Sequence, residues 1–154
     1  MGSPLELRDF TIRDLEFHWQ VPAPGSKGQE RDFRVTYQVA VNSTDPLDYR
    51  LELVVADSQS PSEKVAGYSL KATIWGFFRF PDGLDREKRE YHIRINGITM
   101  LYGTLRGALA TIGGMLPPNR RYVLPTINVF ELIEAAEGKA KAAAPTLPPP
   151  SRQT

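Results

Sequence analysis

The residue types that most often carry out catalysis or bind metal ions are scarce in this sequence. It has no cysteine, which excludes disulfides, cysteine-ligated zinc and thiol catalysis. Its only histidines are His18 and His92, and neither has a second ligand at the spacing of a metal site. The HExxH, phosphate-loop and GxSxG motifs are absent. The sequence therefore predicts a protein that is not an enzyme and that uses no cofactor or metal.

Large apolar side chains in exposed positions indicate a different property, promiscuous contact with apolar groups. Residues 66–80 alternate as a strand, and the face opposite its apolar face carries two large aromatic side chains among polar ones. A flexible methionine in the proline-rich loop at 115–118 suits promiscuous apolar contact. An alternative is that these residues close an interface between copies of the chain. The residues of this exposed apolar surface are Trp75, Phe77, Met115, Leu116 and Pro117.

An amphipathic helix is predicted from about residue 98 to the Gly113-Gly114 pair, because apolar residues recur with helical spacing. These apolar residues are Ile98, Leu101, Tyr102, Leu105, Leu109 and Ile112. A second row, here called the small-residue stripe, consists of Gly103, Gly107, Ala110 and Gly114. Since an interior glycine costs a helix roughly 1 kcal/mol relative to alanine, the stripe predicts close packing against another backbone in an oligomer. The alternative is a weaker helix that tolerates its glycines.

Four antiparallel strands are predicted before this helix. Residues 5–21 alternate with two changes of phase, which predict β-bulges. Residues 33–41 and 49–55 alternate cleanly and form a hairpin, and residues 66–80 form the fourth strand. Residues 83–95 read as a charged loop followed by a short extended segment. Together with a second helix that starts near residue 128, the pattern predicts an α+β fold with both helices on one face of the sheet.

Length and charge restrict the remaining possibilities. The chain has 154 residues, a net charge of +1 and no block of like charge, so a nucleic-acid partner is not expected. The N-terminal residues lack the features of a signal peptide and no apolar run is long enough to span a membrane, which predicts a cytoplasmic protein without membrane insertion. We expect one domain at residues 1–137 and a disordered tail rich in alanine and proline at 138–154.

Several motifs, taken in order, resemble SecB, the protein-export chaperone family. The Leu-Tyr-x-x-Leu-Arg run at 101–106 precedes a helix end, a proline-bearing loop and the Leu-Pro-Thr-Ile-Asn-Val segment at 124–129, as in the C-terminal half of that family. The Asp-Leu-Glu-Phe run at 14–17 and Trp-Gly-Phe-Phe at 75–78 look like segments of its first and fourth strands. The order of four strands and two helices is also that of SecB.

The resemblance implies a homotetramer, a dimer of dimers, in which the long helices pack between two sheets and the small-residue stripe lies at the contact. It implies a holdase that binds unfolded or precursor polypeptides in apolar grooves and passes them to the SecA translocase ATPase. The substrate-binding residues that the resemblance implies are Trp75, Phe77, Met115, Leu116 and Pro117. Asp14 matches an acidic residue of the family's SecA-docking face, but His18 and Lys71 stand where the family has further acids. A dedicated client from a toxin-antitoxin system is therefore an open alternative to general export. A non-chaperone oligomerisation or adaptor module on the same fold is another, and a small-molecule or enzymatic domain would need a polar pocket that the sequence does not indicate.

Overall fold

The computed structural model describes residues 3–20, 31–59, 67–115 and 123–143. Four long strands make one antiparallel sheet in the order β1-β4-β3-β2, which places β1 and β2 at the two edges. The α+β class and the predicted hairpin of the second and third strands are confirmed. The strands are β1 (Glu6–Gln20), β2 (Arg31–Val41), β3 (Asp48–Gln59) and β4 (Gly67–Arg79).

Two irregularities in β1 confirm the phase changes seen in the sequence. Its pairing with β4 shifts register between Leu7 and Asp9 and again between Ile12 and Asp14. Each shift inserts one extra residue, Arg8 or Arg13, which a β-bulge accommodates. The two bulges therefore keep the apolar residues on one face along the whole strand, although the simple alternation is interrupted twice.

A helical segment precedes the predicted long helix and corrects the expected loop and extended segment at 83–95. It comprises α1 (Arg86–His92) and a π-helical turn (Ile93–Gly97), which continues directly into α2 (Ile98–Gly113). Asp85 caps α1, since its carboxylate accepts a hydrogen bond from the backbone N–H of Lys88 at 2.8 Å. An Arg86–Glu90 ion pair at 2.7 Å, one helical turn apart, supports the same segment. These charged residues suggested a loop in the sequence, but in the structure they form a cap and an ion pair that stabilise the helix.

The last helix, α3 (Val129–Ala143), begins where the sequence predicts it. The side chain of Asn128 accepts the backbone N–H of Phe130 at 3.1 Å, as expected of an N-cap residue. The helix passes residue 137, the predicted domain end, and includes residues 138–143. Residues 144–154 lie outside the described ranges. Within those ranges, no helix has both the length and the apolar character needed to cross a membrane.

The main core lies between α2 and strands β3 and β4, on what we call the inner face of the sheet. Gly76 permits the close approach, because a Cβ atom there would lie 2.6 Å from Cδ2 of Leu101. One residue of the predicted apolar stripe departs from the core, since Ile112 in the last turn of α2 is 39% exposed. The side chains buried at this contact are Leu51, Leu53, Val55, Leu70, Ala72, Ile74, Phe78, Ile98, Leu101, Leu105 and Leu109.

Two polar contacts hold the connections between elements. The phenol of Tyr102 on α2 donates a hydrogen bond to the carbonyl of Pro125, which ties the segment before α3 to the long helix. Burial raises the pKa of Tyr102 to about 12. At the β2–β3 turn, the Arg79 guanidinium lies 2.8 Å from Asp45 and 2.7 Å from Asp48, which joins this turn to β4.

Candidate functional site

Two predicted substrate-binding residues, Trp75 and Phe77, lie on the face of the sheet opposite the helices, here called the outer face. The residues that alternate with them along β4 face the other side of the sheet and are buried there. A Cβ atom at Gly76 would clash with Leu101 of α2, so that other side is the one that α2 covers. Across the β3–β4 ladder, Glu52 is opposite Trp75 and Arg50 is opposite Phe77. The outer face thus surrounds both aromatic side chains with charged groups from the neighbouring strand.

Trp75 is engaged by partners within its own chain. The guanidinium carbons of Arg13 and Arg50 each lie 4.3 Å from the centroid of the indole ring, a cation–π arrangement. The indole Nε1–H donates a 2.6 Å hydrogen bond to the carboxylate of Glu52. Since Arg13 belongs to a bulge of β1 and Arg50 to β3, Trp75 joins three strands on the outer face. A bound polypeptide would have to displace an arginine to cover this ring.

Phe77 is more accessible than Trp75 and lies at the edge of a groove of about 450 Å³, the outer groove. Its ring packs edge-on against Trp75, with centroids 6.5 Å apart, and 38% of the residue remains exposed. The groove therefore combines an aromatic wall with the guanidinium groups of Arg8 and Arg50 and the carboxylate of Asp48, and Arg8 lies 3.1 Å from Glu6. The lining consists of Arg8, Ala40, Val41, Asn42, Asp48, Tyr49, Arg50, Phe77 and Phe78.

The predicted loop site lies on the other side of the sheet. Met115 directly follows α2 in the helical layer and is 84% exposed. Leu116 and Pro117 lie outside the described residues. Because the sheet separates Met115 from Phe77, the structure does not bring the predicted substrate-binding residues together in one protomer. They form two surfaces, one on each side of the sheet.

The small-residue stripe faces away from the sheet. A Cβ atom added at Gly103 or Gly107 would meet no described atom within 4 Å, and Ala110 is exposed. Gly114 differs, because a Cβ there would lie 3.3 Å from the carbonyl oxygen of Thr111 at the end of the same helix. Packing within the protomer therefore gives no reason for glycine at 103 and 107, whereas at 114 an added Cβ would contact carbonyl oxygens of the same helix.

Apolar side chains of β1 are also left open beside the helical layer. Phe10 and Leu15 pair with Gly76 and Ala72, so they lie on the inner face, yet they are 43% and 37% exposed. The helix α2 covers β3 and β4 but leaves these β1 residues accessible. The inner side of the sheet thus carries an apolar area next to the long helix.

The residues considered for partner docking lie on the outer face of β1 and β4. Asp14 is exposed opposite Thr73, and His18 is exposed opposite Ser69. Lys71 is exposed opposite Glu16, so cationic and anionic groups alternate across this face. Sequence reasoning missed the arginines around Trp75, because their contact with it depends on the strand order and on the bulge at Arg13.

Comparison with known proteins identifies the fold. No protein-family model matches the sequence, and no curated protein matches it in a sequence search. The structure, however, has the SecB-like fold. The Rv1957 SecB-like chaperone of Mycobacterium tuberculosis, solved in complex with a ChAD peptide from the Rv1956 HigA1 antitoxin, is similar to it with a TM-score of 0.58. The match covers 80% of this chain and 91% of that chain at 13% sequence identity, which establishes similarity of fold.

Proposed function

We propose that this protein is a SecB-like molecular chaperone, a holdase that binds non-native polypeptides and keeps them unfolded. The observation that carries the proposal is exposed apolar surface on both sides of a SecB-like fold. Phe77 is accessible on the outer face, and Phe10, Leu15 and Met115 are accessible on the inner side. Exposed apolar side chains that lie together on a protein surface are typical of interaction sites.

The binding energy comes from removing apolar surface of the client from water. Burial is worth about 25 cal/mol per Å², so covering one fully exposed large apolar side chain of the client contributes about 1.5–3 kcal/mol. Several separate patches, each engaging one apolar segment, increase the overall affinity without a specific sequence in the client. No bond is broken and no cofactor is needed in this mechanism.

The proposed assembly is a homotetramer built as a dimer of dimers, working in the cytoplasm. The open positions Gly103 and Gly107 support a close helix contact with a second copy, and the exposed β1 residues Phe10 and Leu15 lie beside it. Asp14 is the residue that we propose for docking a SecA-type partner, since it lies exposed on the outer face. Because the neighbouring His18 and Lys71 are not acidic residues, that face carries fewer carboxylates than the resemblance to SecB implies.

The test is size-exclusion chromatography with light scattering, with and without a reduced, unfolded and unrelated polypeptide. A tetramer that carries the polypeptide with it supports a general holdase. Phe77→Ser and Met115→Ser should each reduce the bound fraction, whereas the control Gln38→Ser, on the same outer face as Phe77, should not. A wild-type protein that leaves aggregation of the client unchanged at equimolar tetramer would refute the proposal.

A dedicated client from a toxin-antitoxin system is the second candidate function. It is supported by the Mycobacterium tuberculosis neighbour, which was solved with a peptide from an antitoxin. A tetramer that ignores unrelated unfolded chains but binds one antitoxin peptide would favour it over general export. A tetramer that binds neither, and takes up no apolar dye, would instead indicate an oligomerisation or adaptor module.

A further inference from the structure

A second groove lies between α1 and α3, away from the residues proposed above, and is here called the α1–α3 groove. It has a volume of about 710 Å³. Its apolar part consists of Ile95 and the buried Ile133 together with Tyr91 and Phe130. Both rings are 59% exposed, so they stand open to solvent at its edges. Exposed rings beside an apolar floor are typical of a surface that another segment covers.

The segment that directly follows α3 has the composition of a ligand for aromatic grooves. Residues 144–154, here called the proline segment, carry prolines at 145 and 148–150 and no acidic side chain. Such segments favour the extended polyproline II conformation, so little entropy is lost when they bind. Proline-rich chains in this conformation dock in grooves lined by aromatic side chains. The α1–α3 groove offers two such side chains, one from each helix.

The charge of the α1–α3 groove disfavours an acidic occupant, which the proline segment is not. The lining holds five carboxylates and two cations, a net charge of −3. The one charged side chain of the proline segment is Arg152, which lies beyond its prolines. An ion pair in so open a groove would contribute little. Recognition therefore depends on the contact between the prolines and the rings.

The proline segment is long enough to fold back along α3 into the groove. Ile133 and Phe130 lie 10 and 13 residues before Ala143, which correspond to about 15 Å and 20 Å along the helix. The prolines at 148–150 lie 5–7 residues after Ala143 and reach about 15–22 Å at about 3.1 Å per residue. Pro145 favours the reversal, since the residue before a proline avoids the helical conformation. The three consecutive prolines thus reach the part of α3 that lines the groove.

We propose that the proline segment occupies the α1–α3 groove of its own protomer, with its three consecutive prolines between Tyr91 and Phe130. A connection this short keeps the segment at an effective concentration in the millimolar range, so a contact with a Kd on the order of 100 μM is formed most of the time. The segment is then an intramolecular cover, and any partner that uses these rings must displace it. This inference does not depend on the holdase activity.

Paramagnetic broadening tests the docking, because the chain has no cysteine and one can be placed in the proline segment. The full-length Ser151→Cys variant carries a nitroxide label, and the isoleucine methyl groups are observed by NMR. The signals of Ile95 and Ile133 should lose most of their intensity relative to the protein with the reduced label. Ile12 on β1 should keep its intensity, because α3 contacts β2 at the opposite edge of the sheet.

Matched variants separate docking from mere attachment to α3. Replacing the three prolines at 148–150 by serine keeps the length of the segment and should reduce the broadening of both signals, as should Phe130→Ser in the groove. Arg152→Gln should change the broadening little. Equal broadening in the triple-serine variant, which is what an undocked segment attached at Ala143 produces, would overturn the proposal. So would full intensity of both signals when the prolines are intact.

A synthetic peptide of residues 144–154 gives a second measurement. Added to the triple-serine variant, whose groove is then open, the peptide should shift the methyl signals of Ile95 and Ile133. Added to the wild-type protein, it should shift them several-fold less, because the attached segment competes. Shifts of equal size in both proteins, or no shift in the variant, would refute the occupancy.

A mixed sample identifies which copy supplies the segment. Isotope-labelled chains without the nitroxide are refolded together with nitroxide-labelled chains that carry no isotope. The methyl signals of Ile95 and Ile133 should be broadened much less in this sample than when both labels are on one chain. Broadening of equal strength would assign the proline segment to the groove of a neighbouring copy and would overturn the proposal.

Discussion

The substitution Gly107→Leu tests whether Gly107 is needed for the fold of the protomer or for a contact between copies of the chain. In the protomer, a Cβ atom at Gly107 meets no described atom within 4 Å, so a side chain can leave the backbone there without a clash at its Cβ. In an assembly whose long helices touch along the small-residue stripe, the same leucine holds the two backbones apart. The variant should therefore keep its fold and lose a contact between copies.

The expected effect on the protomer has the opposite sign to the effect on the assembly. Replacing glycine by leucine in an exposed helix interior stabilises the helix by about 0.7 kcal/mol. For a domain of this size that gain corresponds to an increase in Tm of about 2 °C. A tetramer of 17.2 kDa protomers should instead dissociate into dimers, because the helices can no longer approach along Gly103 and Gly107.

Gly138 supplies a matched control. It lies in α3, and a Cβ atom there also meets no described atom within 4 Å. Gly138→Leu should give a similar gain in helix stability without changing the assembly. Light scattering on a size-exclusion column reports the oligomeric state, and thermal unfolding followed by circular dichroism reports the stability of each variant.

The outcomes decide between the explanations for the glycines. If Gly107→Leu remains tetrameric while its Tm rises like that of Gly138→Leu, the stripe faces solvent and its glycines are merely tolerated. If the wild-type protein is a monomer at micromolar concentration, the stripe has no assembly to explain. Dissociation in both variants would show that light scattering reports a general effect of leucine on these helices and would remove the support for the stripe.

Three further predictions concern the protomer. Gly76→Ala should reduce the free energy of unfolding in urea by about 1–3 kcal/mol, because the added Cβ lies 2.6 Å from Leu101, and wild-type stability would contradict the described approach of α2 to β4. Ultraviolet titration of the six tyrosines should show a step at about pH 12 that Tyr102→Phe removes, and a step that survives belongs to another tyrosine. Since the folded state favours the neutral phenol, the contribution of Tyr102 to stability is complete below about pH 10 and is lost as the pH rises towards 12. A hydrogen bond from Arg79 lowers the pKa of Asp45, so the stability from this pair is present above the ordinary value of 3.8 and is lost as the pH falls through the lower one. Asp45→Asn should therefore make acid unfolding less steep, and an unchanged acid transition would refute this role.

Local sequence patterns predict much of the fold, because they report which face of each element is buried. The phase changes in β1 coincide with the bulges at Arg8 and Arg13, and α2 ends at the glycine pair after residue 112. The helix α1 is missed because its buried contacts are few and its surface is charged. The signal for it is local, a capping Asp85 followed by charges four residues apart.

The candidate sites are harder to predict, because they depend on which elements become neighbours. The exposed aromatic pair on β4 is visible in the sequence, but the arginines over Trp75 come from β1 and β3 and require the strand order β1-β4-β3-β2. The groove between α1 and α3 joins residues near 90 to residues near 134, and no periodicity within either segment indicates that contact. Whether an exposed side chain binds another chain is likewise a property of the surface as a whole.

The π-helical turn at Ile93–Gly97 has a consequence for how this fold can change by insertion and deletion. A π-helical turn holds one residue more than the α-helical turn that it replaces, whereas each residue of a regular α-helix turns the chain by about 100°. Deleting one residue from this turn would therefore restore a regular α-helix and leave the rotation of α1 relative to α2 nearly unchanged. The same deletion inside α1 or α2 would rotate one part of the helix against the other by about 100°. The turn thus marks a position where the chain can change in length by one codon while the faces of the flanking helices are preserved.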